Sequence, residues 1–364
     1  MDKIKPIKVL IYCPRLLDTG GIESHLKEFI SSIHSENIQI ILWIPDTRLN
    51  ELNIKWYKEN CFKTYFQNKS RLGFFHTILL LLKLNFSGIN HFYSNGQGKS
   101  IFWIWKMLVS IPNWIHHHHS SGDENDRKTW DASYMKALLY SNNLIVCSTN
   151  ISKDVEQYLN RKVLNIPCYS RQIVLENKSI NKEKVKLAFV GRLIKEKGID
   201  IISKLSIDLK NDGIEFHIWG KEEYYTQKHF DLFPNIEYHG SYNSIDGLKD
   251  VFNSIDGLIL ASTHSEGLPI SLLEAQAAGI PWIASAIGGI SDLKTNDDIN
   301  ILIPQNATYD EIKELILEFR KSLIEYKSLP VIENIKNYEL HYSNAAVSKL
   351  WKNLFYDFDK SPNR

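Results

Sequence analysis

The segment 262–293, STHSEGLPISLLEAQAAGIPWIASAIGGISDL, carries two acids that could do chemistry together. Glu266 falls in a loop after an apolar strand, and Glu274 falls about two turns into the helix that follows. Pro269 stands where the first turn of a helix tolerates proline. A helix N-terminus offers unpaired N–H groups and partial positive charge, so it can hold an anion such as a diphosphate without a metal. Glu266 could then accept from the hydroxyls of a sugar and Glu274 from both hydroxyls of a ribose. Taken alone, such a pair more often consists of solvated acids flanking a helix.

A second segment, FVGRLIKEKGID, places Arg192 and Lys197 just beyond a strand and before the next helix, where a doubly wound sheet carries its phosphate-facing loop. Arg192 can fork two N–H groups onto phosphate oxygens, and Lys197 adds a mobile point charge. Two basic residues in a loop commonly serve only solubility. Their register with the acidic segment makes the two readings support each other.

Four consecutive histidines, His116 to His119, continue an apolar strand. Strand alternation puts His117 and His119 on one face and His116 and His118 on the other. Asp123, Glu124 and Asp126 follow with side chains suited to a metal, but in a loop, and no metal is expected. Hydrogen bonding at a strand end would account for the histidines as well. Smaller features point less sharply. SNGQGKS at 94–100 lacks the spacing of a phosphate loop and reads as a strand-to-helix turn, and the absence of G-x-G-x-x-G from the first βα loop argues against a dehydrogenase. In IWGKEEYY a base could stack on Tyr224 or Tyr225, though packing explains them equally.

The elements that would position these residues are legible as a rhythm. Short apolar runs alternate with amphipathic stretches of helical length, the pattern of βα units around a parallel sheet. IKVLIYCP, IQIILWIP, INHFYSN, NWIHHHH and NLIVCST read as strands in the first half. KLAFVGR, IEFHIWG, NIEYHG, GLILAS and IPWIAS read as strands in the second. The stretch 171–186 between them is polar and aperiodic, which reads as a linker. The expected organisation is an N-terminal Rossmann-like domain over 1–172, a linker over 173–185 and a second Rossmann-like domain over 186–336. A final helix over 337–364 would cross back to the first domain. Two such halves would hold a ligand in the cleft between them, at the carboxyl ends of the strands.

Composition narrows the partners. With 43 basic and 42 acidic residues, the chain has no overall field to hold nucleic acid. Cys13, Cys61, Cys147 and Cys168 are scattered without disulfide or zinc-knuckle spacing and read as buried thiols of a reducing compartment. The first apolar run, VLIY, is too short for a signal-peptide core, so a cytoplasmic protein is expected. The apolar segments 74–86 and 101–115 are shorter than the ~20 residues of a spanning helix, and Lys83 and Lys106 interrupt them. They read as buried helices, with peripheral membrane contact as the alternative.

The runs FVGRLIKEKG, NIEYHGSY and SEGLPISLLEAQAAGIPWIAS, with seven residues between the two glutamates and Gly288 and Gly289 trailing, resemble family 4 of the glycosyltransferases. The likeness spans nearly the whole chain and is strongest over 186–293. In the N-terminal half, the Gly20–Gly21 loop before the first helix is the main match. What the resemblance implies is a GT-B fold, two Rossmann-like doubly wound domains facing each other across a cleft. It implies metal-independent transfer with retention of anomeric configuration, from a nucleotide sugar, UDP- or GDP-linked, with no other cofactor. Arg192 and Lys197 would hold the donor diphosphate and Glu274 the ribose. Glu266, with the backbone of Gly267 and Leu268, would hold the transferred sugar. Gly20, Gly21 and Glu23 would lie beside donor phosphate and acceptor. A strand-end histidine, His118 or His119, would touch the transferred sugar, with His119 favoured because it stands last before the turn.

The resemblance suggests a front-face mechanism, in which the leaving phosphate oxygen takes the acceptor proton. A carboxylate nucleophile, for which Glu266 is the candidate, is the other route, as in glycosidases with carboxyls ~5 Å apart. The acceptor would be a saccharide or a lipid-linked saccharide of a bacterial surface glycan such as lipopolysaccharide. A nucleotide-sugar epimerase, an inverting transferase, or a silent nucleotide-sugar-binding homologue remain alternatives on the same fold.

Overall fold

Apart from the half-buried Lys8, the run Ile7–Tyr12 (β1) is apolar because both of its faces are covered. Val9 and Ile11 enter one core with Leu26, Phe29, Ile30 and Ile33 of the helix Gly21–Ile33 (α1), while Leu10 and Tyr12 enter a second core on the opposite face. The computed structural model describes residues 5–18, 20–67, 73–181, 183–242, 244–264, 266–295 and 299–359. Thr19 of the first glycine loop and Ser265 beside Glu266 lie outside the described residues. Contacts divide the chain into two units, Met1–Tyr169 with Asn344–Arg364, and Ser170–Ser343.

The first unit continues with β2 (Ile38–Ile44), α2 (Glu51–Asn60), β3 (Lys63–Phe66), α3 (Gly73–Asn85), β4 (His91–Asn95), α4 (Ile101–Met107), β5 (Asn113–His118), α5 (Glu124–Arg127), α6 (Ala132–Tyr140), β6 (Asn143–Val146), α7 (Thr149–Leu159) and β7 (Leu164–Asn165). Its strands form one parallel sheet in the order β3-β2-β1-β4-β5-β6-β7. The order reverses beside β1, the switch point of a Rossmann-like sheet. The outer strands β3 and β7 were not expected from the sequence, since short edge strands lack a bounded apolar run.

In the second unit come β8 (Lys178–Ser179), β9 (Val185–Val190), a 3-10 turn at Lys195–Lys197, α8 (Ile199–Asp208), β10 (Ile214–Trp219), α9 (Gln227–Phe230), β11 (Ile236–Gly240), α10 (Ile245–Ser254), β12 (Gly257–Leu260), α11 (Ile270–Ala277), β13 (Trp282–Ser285), a 3-10 turn at Gly288–Leu293, β14 (Asn300–Ile303), α12 (Tyr309–Tyr326), β15 (Ser328–Leu329) and α13 (Ile332–His341). The sheet order β11-β10-β9-β12-β13-β14 repeats the reversal, again with parallel pairing. Side-chain caps set the helix starts, as where Ser148 accepts from Ile151 N–H and where Thr308 and Glu311 form a capping box.

Two expectations need adjusting. The stretch 173–185, read as a linker, lies within the second unit, where Lys178 and Ser179 pair antiparallel with Leu329 and Ser328. α13 also clusters with that unit, and only α14 (Asn344–Asp359) joins the first, where Trp351 packs edge-on against Phe29 at 5.0 Å. The apolar segments are helices buried on one face only. Leu80, Leu81 and Leu84 of α3 are covered, while Phe75, Leu79 and Leu82 are exposed, as are Trp103 and Met107 of α4. Among the described residues, no helix is long and apolar enough to cross a membrane.

Candidate active site

In the second unit, the residues singled out by type fall at the carboxyl ends of adjacent parallel strands. The loop after β9 carries Arg192, whose guanidinium makes a two-pronged contact with Glu223 at 2.9 and 2.7 Å. The following 3-10 turn delivers Lys197 and ends on Gly198, with φ of 75°. A side chain at Gly198 would collide with the carbonyl of Ala261, and Thr263 N–H donates to Glu196 O at 2.9 Å. That close approach docks the basic loop against the loop after β12. Lys197 Nζ consequently donates to Glu266 Oε1 at 2.6 Å, as does the Ser262 hydroxyl at 2.6 Å. Glu266 is 8% exposed, so its charge is compensated by these partners.

Gly289 N–H donates to the Gly267 carbonyl at 3.0 Å, which clamps the Glu266–Leu268 loop against the trailing glycine pair. Pro269 stands one residue before α11, its carbonyl accepting from Leu272 and Leu273 N–H, so the amides of Ile270 and Ser271 precede the first intrahelical bonds. Glu274 is the fifth residue of α11, little more than one turn in and not two. It accepts from Arg171 Nε at 2.6 Å, and Arg171 Nη2 donates to the Tyr242 hydroxyl at 3.0 Å. Burial would lower the Arg171 pKa, but the Glu274 charge beside it raises it, and burial raises the Tyr242 hydroxyl.

Arg171, Tyr242, Glu223 and Ser262 were not identified from sequence. Tyr242 closes the NIEYHGSY run, while Arg171 opens the polar stretch taken for linker, where nothing local marks it. Of the two tyrosines offered for stacking, Tyr225 is buried, whereas Tyr224 is exposed with the Lys195 ammonium 4.4 Å from its ring centre.

In the first unit, the histidines alternate in space as the strand period requires. His116 and His118 both reach the Tyr134 hydroxyl, at 3.3 and 2.8 Å, and His118 Nε2 lies 3.2 Å from Asp126 Oδ2. Burial would raise the Asp126 carboxyl, but hydrogen bonding and charge from His118 hold it below its usual value. Asp123 instead caps α5. On the other face, His117 and His119 meet His25 of α1, with ring centres 5.2 and 5.1 Å from it. Tyr169 N–H donates to His25 Nδ1 at 2.9 Å, the Tyr93 hydroxyl lies 2.9 Å from His117 Nδ1, and His119 Nε2 lies 2.6 Å from Asn95 Oδ1. Burial pushes His25 down to about 3 and holds His117 and His119 well below the usual range, so these rings are neutral at pH 7. His25 was not anticipated, because it lies on another element far along the chain.

Gly20 precedes α1 with φ of 155° and sits against the Glu23 carboxylate, whose Oε1 accepts from Leu17 N–H at 2.8 Å. Glu23 thus braces the glycine loop, which continues through Gly21 into α1.

Two Rossmann-like units define a GT-B fold, and solved structures of very different sequence share it. Anabaena HepE in complex with UDP and glucose superposes with a TM-score of 0.73 at 11% identity, covering 96% of this chain and all of that one. A Staphylococcus aureus TarM mutant in complex with Fondaparinux, alpha-GlcNAc-glycerol and UDP gives 0.70 at 15% identity, over 96% and 99% of the two chains. Residues 170–330 match the family model described as glycosyl transferases group 1, a span that includes Arg171, Arg192, Lys197, Glu266 and Glu274. The whole chain is similar to an uncharacterized glycosyltransferase of Methanocaldococcus jannaschii, 28% identical with 97% of this chain and 99% of that protein covered.

Proposed function

We propose that this chain is a retaining, metal-independent glycosyltransferase of family 4. It would move a sugar from a UDP- or GDP-linked donor to a saccharide or lipid-linked saccharide of a bacterial surface glycan. The observation that carries the reading is the meeting of Lys197 with Glu266 at 2.6 Å, one helix start away from Glu274. UDP in the HepE and TarM complexes supports the donor class, and the saccharides in those complexes support the acceptor class.

Cleavage of the bond between the anomeric carbon and the phosphate oxygen leaves positive character on the sugar and negative charge on the diphosphate. Catalysis therefore rests on donors preorganised around the leaving group. Lys197, Arg192 and the first amides of α11 supply them. Lys197 and Arg192 rest on Glu266 and Glu223, and donor binding would exchange these carboxylates for phosphate oxygens. Glu266, freed of Lys197, accepts from sugar hydroxyls while the Gly267 and Leu268 backbone bounds the ring. Glu274 accepts from the ribose and keeps Arg171 as its counter-charge. The departing phosphate oxygen takes the acceptor's proton, and the acceptor oxygen bonds to the anomeric carbon on the same face.

His118 is fully buried between Tyr134 and Asp126, so contact with the sugar is assigned to His119, a neutral imidazole oriented by Asn95. A cytoplasmic protein at the membrane periphery fits the exposed Phe75, Leu79 and Leu82 near Lys83, and the groove lined by Phe102, Trp105, Lys106, Lys136 and Tyr140.

Calorimetric binding of UDP, GDP, CMP and ADP without divalent metal tests the donor site. One nucleotide should bind in the micromolar range, and Glu274→Ala should weaken it by ~1–3 kcal/mol, the loss of a hydrogen-bonded contact. Binding of none, or an unchanged mutant, would remove the assignment. Donor turnover without acceptor would favour an epimerase.

A further inference from the structure

At the outer edge of the second unit's sheet, β10 and β11 run parallel with His217 opposite Glu237. His239 follows two residues later, so strand alternation turns all three side chains to one face. His217 Nδ1 lies 3.0 Å from His239 Nε2 and 3.5 Å from Glu237 Oε2, and one donor atom from each residue falls within 4.8 Å of the others. Ligand atoms around a tetrahedral zinc ion, bonded at ~2.0–2.1 Å, stand about 3.3 Å from one another. The two edges that meet at His217 Nδ1 already have about that length. We propose that His217, Glu237 and His239 form a site for a borderline divalent cation of the zinc class, with solvent completing the coordination.

The surroundings suit an ion better than a buried hydrogen bond does. His217 is 5% exposed, and its Nε2 has no hydrogen-bond partner; the Glu215 carboxylate stands 4.0 Å away on that side. Two imidazoles facing each other share one proton as N–H···N, which keeps one of the two facing nitrogens from coordinating. An ion between them shifts that proton within its own ring. On His217 it moves to Nε2, toward Glu215; on His239 it moves to Nδ1, which lies 3.8 Å from Glu237 Oε1. Either tautomer then has a carboxylate behind it, the arrangement that orients metal-bound histidines. Trp219 stacks on His239 at 4.0 Å and 7°, which fixes the ring plane.

The other histidine cluster lacks the carboxylates. His25, His117 and His119 also bring donor atoms together, but no carboxylate joins them. One nitrogen of each ring is held, by Tyr169, Tyr93 and Asn95 in turn, and a metal on His25 Nε2 would require a proton on Nδ1, facing the Tyr169 N–H. The proposed ion therefore lies on β10 and β11, and none of its ligands belongs to the donor-binding set. It has no part in the sugar transfer proposed above.

The test is a titration of the full, tag-free chain with Zn²⁺, and with Co²⁺ followed by visible absorption. Saturable one-to-one binding in the micromolar range or tighter is expected. His239→Ala should weaken it by more than about tenfold and bleach the Co²⁺ band. Glu237 is 67% exposed, so Glu237→Gln removes a ligand without endangering the fold and should weaken binding several-fold. No saturable binding by the wild type, or binding unchanged in both variants, would overturn the site. Nucleotide affinity measured on the same samples should not move, so this outcome is separate from the test of the donor site.

Discussion

In the first unit the polar side chains at the strand ends are mostly neutral rings buried in a hydrogen-bonded network; in the second they are opposite charges paired with one another. His25, His117 and His119 are pinned by Tyr169, Tyr93 and Asn95, whereas Lys197, Arg171 and Arg192 rest on Glu266, Glu274 and Glu223. A neutral ring can be buried without the desolvation cost of a charge, so the first arrangement is suited to holding a shape. An exposed ion pair such as Arg192–Glu223 is worth little on its own, and a paired charge can trade one partner for another, so the second is suited to receiving a charged ligand.

The largest effect that would break this contrast is one of acid. Burial holds His25 and His116 down to about 3 and His91 to about 4, with His117 and His119 well below the usual range. In the unfolded chain these groups titrate near ~6.5. Between those values the unfolded state binds more protons, so stability is complete above pH ~6.5 and is lost as pH falls, by up to about 1.4 kcal/mol per pH unit for each ring. The second unit has such shifts at His217, His229 and His239. Hydrogen exchange at pH 7 and pH 5 should show the first unit losing more protection. Equal loss in both units would mean that its histidines are not held neutral.

Next in size, Lys197→Ala should lower the transfer rate by ~10²–10³, the cost of removing a donor aimed at developing charge, while far-ultraviolet circular dichroism stays unchanged. A variant that unfolds but transfers at the wild-type rate when folded would make the Lys197–Glu266 pair structural and erase the difference between the units. The smallest effect is expected at Arg192, whose side chain is 56% exposed on Glu223. Arg192→Ala should change stability by less than ~1 kcal/mol, yet weaken nucleoside-diphosphate binding measurably in calorimetry. Loss of stability without loss of affinity would reverse its role.

Much of this molecule is written in local pattern. Apolar runs such as IKVLIY and KLAFVG, broken by turn residues at βα spacing, specify two parallel sheets because strand and helix periods depend on neighbours a few residues away. Glu266, Glu274, Arg192 and Lys197 were recognisable for the same reason, each standing at a strand end or helix start that its own neighbours define. Short edge strands such as β3 and β14 escaped, since four-residue runs, whether half-exposed or buried, carry little periodic signal.

The sequence by itself therefore determined the two doubly wound sheets and the acids and bases at their strand ends. Only the tertiary structure decided which residue meets which. Arg171 reaches Glu274 across 103 positions, and Tyr169 reaches His25 across 144. His217 and Glu237 become neighbours through strand register. The physical reason is that crossover helices, packed onto a sheet by apolar contacts, bring distant strand ends together, and no local spacing records the result.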